Sequence, residues 1–120
     1  MKPVIDSTEF GRITISKEPY DHDVVIRLNG EVKKRKKKLS KQAFGTSHKV
    51  SLDEANHIFE KGAEQIIIGT GQYGALGLSD EAKDFFSKKG CRVVMLPTPE
   101  AITAWNKAKG AVIAMFHITC

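Results

Sequence analysis

Along the chain, apolar positions first alternate with polar ones and later fall into blocks of helical spacing. In FGRITIS, Ile13 and Ile15 point one way and Thr14 and Ser16 the other, the period of a half-buried strand. Pro19, Tyr20 and Asp21 end that run. DVVIRL then places Val24, Ile26 and Leu28 on one face, and Asn29-Gly30 predicts a two-residue type I′ turn because both residues tolerate positive φ. The return strand, EVKKRKKK, has nothing to bury beyond Val32 and is expected to project from the core. After a polar loop with Gly45, Thr46, Ser47 and His48, Ser51-Leu-Asp-Glu54 reads as a capping box: the Ser51 hydroxyl on the amide three residues on, the Glu54 carboxylate back on the cap. Leu52, Ala55, Ile58 and Phe59 form that helix's inner face, and Gly62 can close it in the left-handed conformation.

Ile66-Ile67-Ile68 is a continuous β-branched run, as in strands buried on both faces. Ser79 caps the next helix, with Asp80 and Glu81 at its positive end, Lys88 and Lys89 at its negative end, and Leu78, Ala82, Phe85 and Phe86 as its buried stripe. CRVVML is a strand stopped by Pro97. Thr98-Pro99 opens a helix carrying Ile102, Trp105 and Ala108, Gly110 ends it, and AVIAMFHI is the closing strand. The order β-β-β-α-β-α-β-α-β predicts an α/β protein with an N-terminal β-hairpin and a largely parallel sheet with helices packed on it.

A chain of 120 residues suits a single domain, 1–120. No apolar run reaches the roughly 18 residues of a membrane span, and the first residues have neither a secretory nor an organellar leader pattern. A soluble protein of the cytoplasm without a membrane partner is expected. Cys91 and Cys120 have no spacing that suggests a disulfide framework or a zinc site, and both are expected to be reduced thiols. The net charge of +5 is local: Lys33, Lys34, Arg35, Lys36, Lys37 and Lys38 carry six positive charges, without which the chain is slightly acidic. That run is a candidate nucleic-acid contact, because each cation that neutralises a phosphate releases a counterion. The favoured reading is that lysines on a projecting edge strand keep it from pairing with another chain.

GTGQYG, residues 69–74, spells a dinucleotide-binding pattern directly after a strand. Its context does not support that spelling. Ala75 to Leu78 separate the third glycine from the helix cap, and the next strand ends in Pro97 and Thr98 where an acidic partner for the ribose belongs. No cofactor is therefore assigned. A small-anion pocket fits better, because open α/β sheets bind ligands at the carboxyl ends of their strands; Gly69, Thr70, Gly71, Gly74 and Ser79 are its candidates. His48, His117 and Cys120 are candidates for acid-base or thiol chemistry, set against the simpler reading of a strand-end histidine and a frayed terminal cysteine. No metal site is assigned and no catalytic residue is named.

The ordered set DVVI, NGEV, GTSH, IIIGTGQYGAL, CRVVMLPTPEAITAWN and FHITC resembles, over essentially the whole chain, the small domain shared by the human adipogenesis-associated domain-containing protein, mitochondrial complex I assembly factor 3 and many uncharacterised prokaryotic proteins. The resemblance implies a compact three-layer α/β domain with a mixed sheet, and it admits a last strand antiparallel to its neighbours. It implies no enzymatic activity or cofactor, and it points to a pocket formed by Gly69, Thr70 and Gly71 with His48 and the strand bearing His117. KKRKKK departs from the aromatic-containing hairpin strand of relatives. The leading expectation is a non-catalytic binding or assembly module, with another protein or a second copy as partner. The alternatives are an enzyme or sensor for a small anionic metabolite and a non-specific nucleic-acid binder.

Overall fold

Among residues 2–120, which the computed structural model describes, the chain begins with three short strands, β1 (Ile5–Glu9), β2 (Arg12–Ile15) and β3 (Glu18–Tyr20), that form an antiparallel sheet. A hairpin of β4 (Val24–Ile26) and β5 (Val32–Lys34) follows, then α1 (Lys38–Phe44), β6 (Lys49–Val50) and α2 (Leu52–Ile58). The remainder is β7 (Gln65–Thr70), β8 (Gly77–Leu78), α3 (Asp80–Lys88), β9 (Arg92–Leu96), α4 (Thr98–Lys107) and β10 (Val112–His117). The main sheet has the order β5-β4-β10-β7-β9. β10 sits at its centre, parallel to β7 and antiparallel to β4, and β7 is parallel to β9. The mixed, largely parallel sheet is therefore present, and the last strand runs parallel to one neighbour, β7, and antiparallel to the other, β4.

Alternation along β7 and β10 divides the core. Ile66, Ile68, Ile113 and Met115 face α2 and α3 and pack with Ala55, Ile58, Ala82 and Phe86. Ile67, Val112, Ala114 and Phe116 face α4 and the small sheet and pack with Ile5, Ile13, Ile15, Ala101 and Trp105. Every residue from Ile66 to Thr70 and from Val112 to Ile118 is buried, which is why both strands read as continuous apolar runs instead of alternating ones. The result is three layers with the main sheet in the middle. Among the described residues no helix is long and apolar enough to cross a membrane.

Several local expectations change. Gly30 has φ +87° but Asn29 does not take positive φ. Instead the Gly30 amide donates to the Arg27 carbonyl and the Asn29 side chain accepts from the Glu31 amide, so the turn is a longer one closed by a left-handed glycine. β1 and β3 add strands where the sequence shows little alternation; β3 contains Pro19 and exposes most of its residues. The basic run does not stay extended. It leaves the sheet after Lys34 and enters α1 at Lys38. Leu52, expected inside, is exposed at the start of α2, and that helix ends at Ile58, before Gly62.

Candidate functional site

The expected capping box at Ser51 is half formed, and the missing half leads to the site. Ser51 Oγ accepts from the Glu54 amide at 3.1 Å, but the Ser51 amide donates to Ser40 Oγ, not to Glu54. The Glu54 carboxylate is fully buried and turned the other way, to Arg35: Nε to Oε2 at 2.6 Å and Nη2 to Oε1 at 2.9 Å. Ser40 Oγ adds a donor to Oε1 at 2.5 Å. Arg35 Nη1 reaches Asp23 Oδ2 at 2.9 Å and Nη2 also donates to the Ser47 carbonyl. The one arginine of the basic run is thus 3 % exposed. This overturns the expectation that the strand buries nothing beyond Val32, and it removes Arg35 from any surface that meets a nucleic acid. Burial works against its charge, but the hydrogen bonds and attraction of Glu54 and then Asp23 outweigh it and hold the guanidinium more firmly protonated than usual. A planar fork that meets two carboxylates at once is a task for arginine, not lysine.

Asp23 links this buried pair to the last strand. Its Oδ1 accepts from the Ile118 amide at 2.9 Å, and its Oδ2 lies 2.8 Å from His117 Nδ1. Burial pushes its carboxyl up, but hydrogen bonds and charge from His117, the Ile118 amide and Arg35 prevail and bring it down to about 2. His117 Nε2 lies 3.3 Å from Thr119 Oγ1, and the His48 ring meets the His117 ring edge-on with centroids 5.2 Å apart. Beside them opens a cleft of about 340 Å³ whose lining includes Asp21, Lys34, Lys37, His48, His117 and Thr119. Lys34 and Lys37 are exposed and make no ion pair among the described residues. No buried side-chain nitrogen or oxygen among those residues lacks a partner.

The glycine loop lies beside this site and does not line the cleft. A Cβ on Gly71 would stand 2.3 Å from the Cys120 carbonyl carbon and 2.8 Å from His117 Cδ2, and one on Gly69 would stand 2.7 Å from Phe116 Cδ1 and 2.8 Å from Thr98 Oγ1. The close approach that a dinucleotide would need is taken by the protein's own last strand and α4. The loop amides are taken too. Gln72 donates to the Thr119 carbonyl at 2.7 Å, and Tyr73 and Ala75 to that of Cys120 at 3.2 and 3.0 Å. Thr98 Oγ1 accepts from the Gly71 amide and donates to the His117 carbonyl. Thr70 is buried in β7, Gly74 holds a left-handed turn at φ +72°, and Ser79 Oγ caps α3 by accepting from the Ala82 amide. The loop's exit, Gly77-Leu78, pairs with Lys49-Val50, so the glycine segment fixes where His48 stands.

Of the predicted site residues, the structure brings together His48, His117, Lys34 and Lys37. Lys33 and Lys36 lie along a neighbouring groove of about 600 Å³ with Arg27 and His57, which Lys34 also borders. Asp23, Thr119 and the Arg35–Glu54 pair were not singled out in the sequence; the available signal was an arginine standing alone among lysines and a hydroxyl two residues after a strand-end histidine. Among the described residues no group of three or more His, Cys, Asp or Glu side chains is arranged to hold a metal ion. Cys91 is buried, and loss of solvent pushes its thiol up to about 11, whereas Cys120 is exposed.

Comparison with known proteins places the chain in a family. The conserved hypothetical protein PH1505 from Pyrococcus horikoshii OT3 is 34% identical over the full length of both chains, with a TM-score of 0.91. The solved protein MT938 is 32% identical, with 99% of this chain and all of that one covered and a TM-score of 0.85. A Bordetella pertussis protein described as a Mth938-like domain shares the fold at 18% identity and a TM-score of 0.64, covering 96% of this chain and 85% of its own. Residues 5–117 match the family described as protein of unknown function DUF498/DUF598. With this match over most of its length and 34% and 32% identity to two solved proteins of the same three-layer fold, the chain belongs to the DUF498/DUF598 family.

Proposed function

We propose that the chain is a binding module for a small anionic molecule, and that the molecule sits in the cleft between β5, α1 and the end of β10. The observation that supports this reading is the division of charge. The carboxylate of Asp23 is consumed by Arg35 and His117, while Lys34 and Lys37 face the cleft unpaired, with His48 beside them. Asp21 offsets one of these charges. A cleft with paired acids behind it and free cations at its mouth favours a carboxylate or phosphate, and its low-dielectric wall strengthens the attraction. The test is a titration of the protein with inorganic phosphate and with succinate, followed by amide and imidazole NMR signals. Shifts confined to Lys34, Lys37, His48, His117 and Thr119, and lost in a Lys34→Ala/Lys37→Ala variant, are the expected result. Shifts centred on Gly69–Gly74, or none at millimolar ligand, reject the reading.

A second reading has its own observation. Edge protection accounts for Lys33 and Lys34, which lie in β5 at the border of the sheet. It does not account for Lys36, Lys37, Lys38, Lys41 and Lys49, which are exposed outside that strand, with exposed Phe44 under the Lys49 ammonium. Such a surface fits a phosphodiester chain bound without sequence preference. Affinity for a single-stranded oligonucleotide that fails to fall with salt, or survives neutralisation of Lys36, Lys37 and Lys38, argues against it.

A further inference from the structure

The contacts of His117 determine its tautomer as well as its position. Asp23 is an ionised carboxylate and only accepts, so the 2.8 Å contact from its Oδ2 to His117 Nδ1 requires the ring proton on Nδ1. In the neutral ring Nε2 is then an acceptor, and the Thr119 hydroxyl at 3.3 Å donates to it. Arg35 Nη1 shares Oδ2 with His117 while the Ile118 amide holds Oδ1, so the carboxylate can neither rotate away nor readily take a proton. Thr119 is half-buried and lines the cleft with His117. Carboxylate, imidazole and alcohol are linked in the order in which a base removes the alcohol's proton while the carboxylate steadies the imidazolium.

We infer that Thr119 is a nucleophile, His117 its general base and Asp23 a positioning residue, and that the substrate class is a small ester bearing a carboxylate. This rests on the anion-binding reading above, in which Lys34 and Lys37 take the carboxylate; the same cations supply positive field for the oxyanion. Thr119 Oγ1 attacks the ester carbonyl carbon as its proton passes to His117 Nε2. Collapse of the tetrahedral intermediate breaks the bond to the leaving alcohol, which takes that proton and departs, and Thr119 remains acylated. Water then attacks the acyl group as Nε2 accepts its proton; the acid is released and Thr119 recovers a proton from His117. Nothing besides ester and water is consumed. Asp23 and His117 lie 94 positions apart, so no sequence motif carries the constellation.

The test uses the full chain and the 4-nitrophenyl monoester of succinic acid, with nitrophenolate release and peptide mass mapping as readouts. A burst of release with a succinyl group on Thr119 is expected. Thr119→Ala removes both, Thr119→Ser retains both, and His117→Gln slows acylation by about 100-fold or more. Asp23→Asn changes the pH profile of acylation, which a purely structural role does not. If His117→Gln fails to fold, the two Thr119 variants decide the matter, since neither touches the Arg35 network. No burst, or label on a lysine or Cys120 that persists in Thr119→Ala, overturns the inference. Phosphate titration of the same preparation separates the two ideas. Phosphate shifts at His48 and His117 without acylation reject the nucleophile and leave the anion site standing, whereas absence of both rejects both.

Discussion

At the scale of single residues, the glycines of GTGQYG distinguish a ligand cradle from a packing device. A cradle glycine leaves room that a ligand fills, so adding a methyl there leaves the ligand-free protein as stable as before. At Gly69 the room is already filled: Phe116 Cδ1 and Thr98 Oγ1 lie under 3 Å from where a Cβ would stand. Both neighbours are fully buried, so neither can move aside freely. Gly69→Ala is therefore expected to destabilise the ligand-free protein by about 1–3 kcal/mol, the usual cost of overpacking a core. Urea unfolding reads this as a lower midpoint with an unchanged slope, and an unshifted midpoint restores the cradle interpretation. The two cysteines make a second residue-scale contrast. Cys120 is exposed and should react with a thiol reagent at once in the folded protein, while Cys91, buried and with its thiol pushed up to about 11, should react only after unfolding. Two equally fast thiols in the native state contradict this.

At the scale of elements, what the sequence made legible follows the period of its apolar residues. The buried runs at Ile66–Ile68 and Val112–Phe116, the Ser79 cap, the Ser51 hydroxyl's half of its capping box and the burial of Trp105 on α4 all carry local signals, and these form as expected. β1 was not legible, because its place depends on packing over α4 and not on a pattern of its own: the Ile5 amide donates to Asn106, and Asn106 donates back to the Ile5 carbonyl, while β3 is held by its pairing with β2. The site was legible only in part. His48 and His117 were visible as residue types, but Asp23, which contacts His117, and the Arg35 and Glu54 behind it come from three separate stretches of the chain, and a buried arginine inside a lysine run looks like a solvated charge. That arginine pins the edge hairpin to α2. Arg35→Ala should cost about 3–5 kcal/mol, because Glu54 is left fully buried without its ion-pair partner, with the Ser40 hydroxyl still donating to it, while Asp23 keeps only His117 and the Ile118 amide. Lysine should not restore it, since one ammonium cannot span both carboxylates. Amide exchange in β5 and α1 should accelerate more than in β7, and uniform acceleration throughout the chain would show that the hairpin is not held locally.

At the scale of the whole molecule, the same network ties stability to pH through Asp23, which joins the basic hairpin, the buried Arg35–Glu54 pair and the end of the central strand in one set of hydrogen bonds. Its carboxyl falls from an ordinary 3.8 to about 2 on folding. Below pH 4 the unfolded chain therefore takes up this proton more readily than the folded one, and stability declines as pH falls. The contribution is fully present above pH 4, is lost progressively between pH 4 and pH 2, and amounts to about 2 kcal/mol. Because the side chain is only 9 % exposed, solvent screening reduces this little. Arg35 stays charged across that window and is itself buried, so salt should not abolish the effect as it would for a surface pair. Chemical unfolding at a series of pH values checks it. The wild type should lose stability between pH 4 and 2 more steeply than Asp23→Asn, which is weaker at neutral pH but flatter in acid. Parallel curves for the two proteins would place the acid sensitivity elsewhere and remove Asp23 from the centre of the fold's electrostatics.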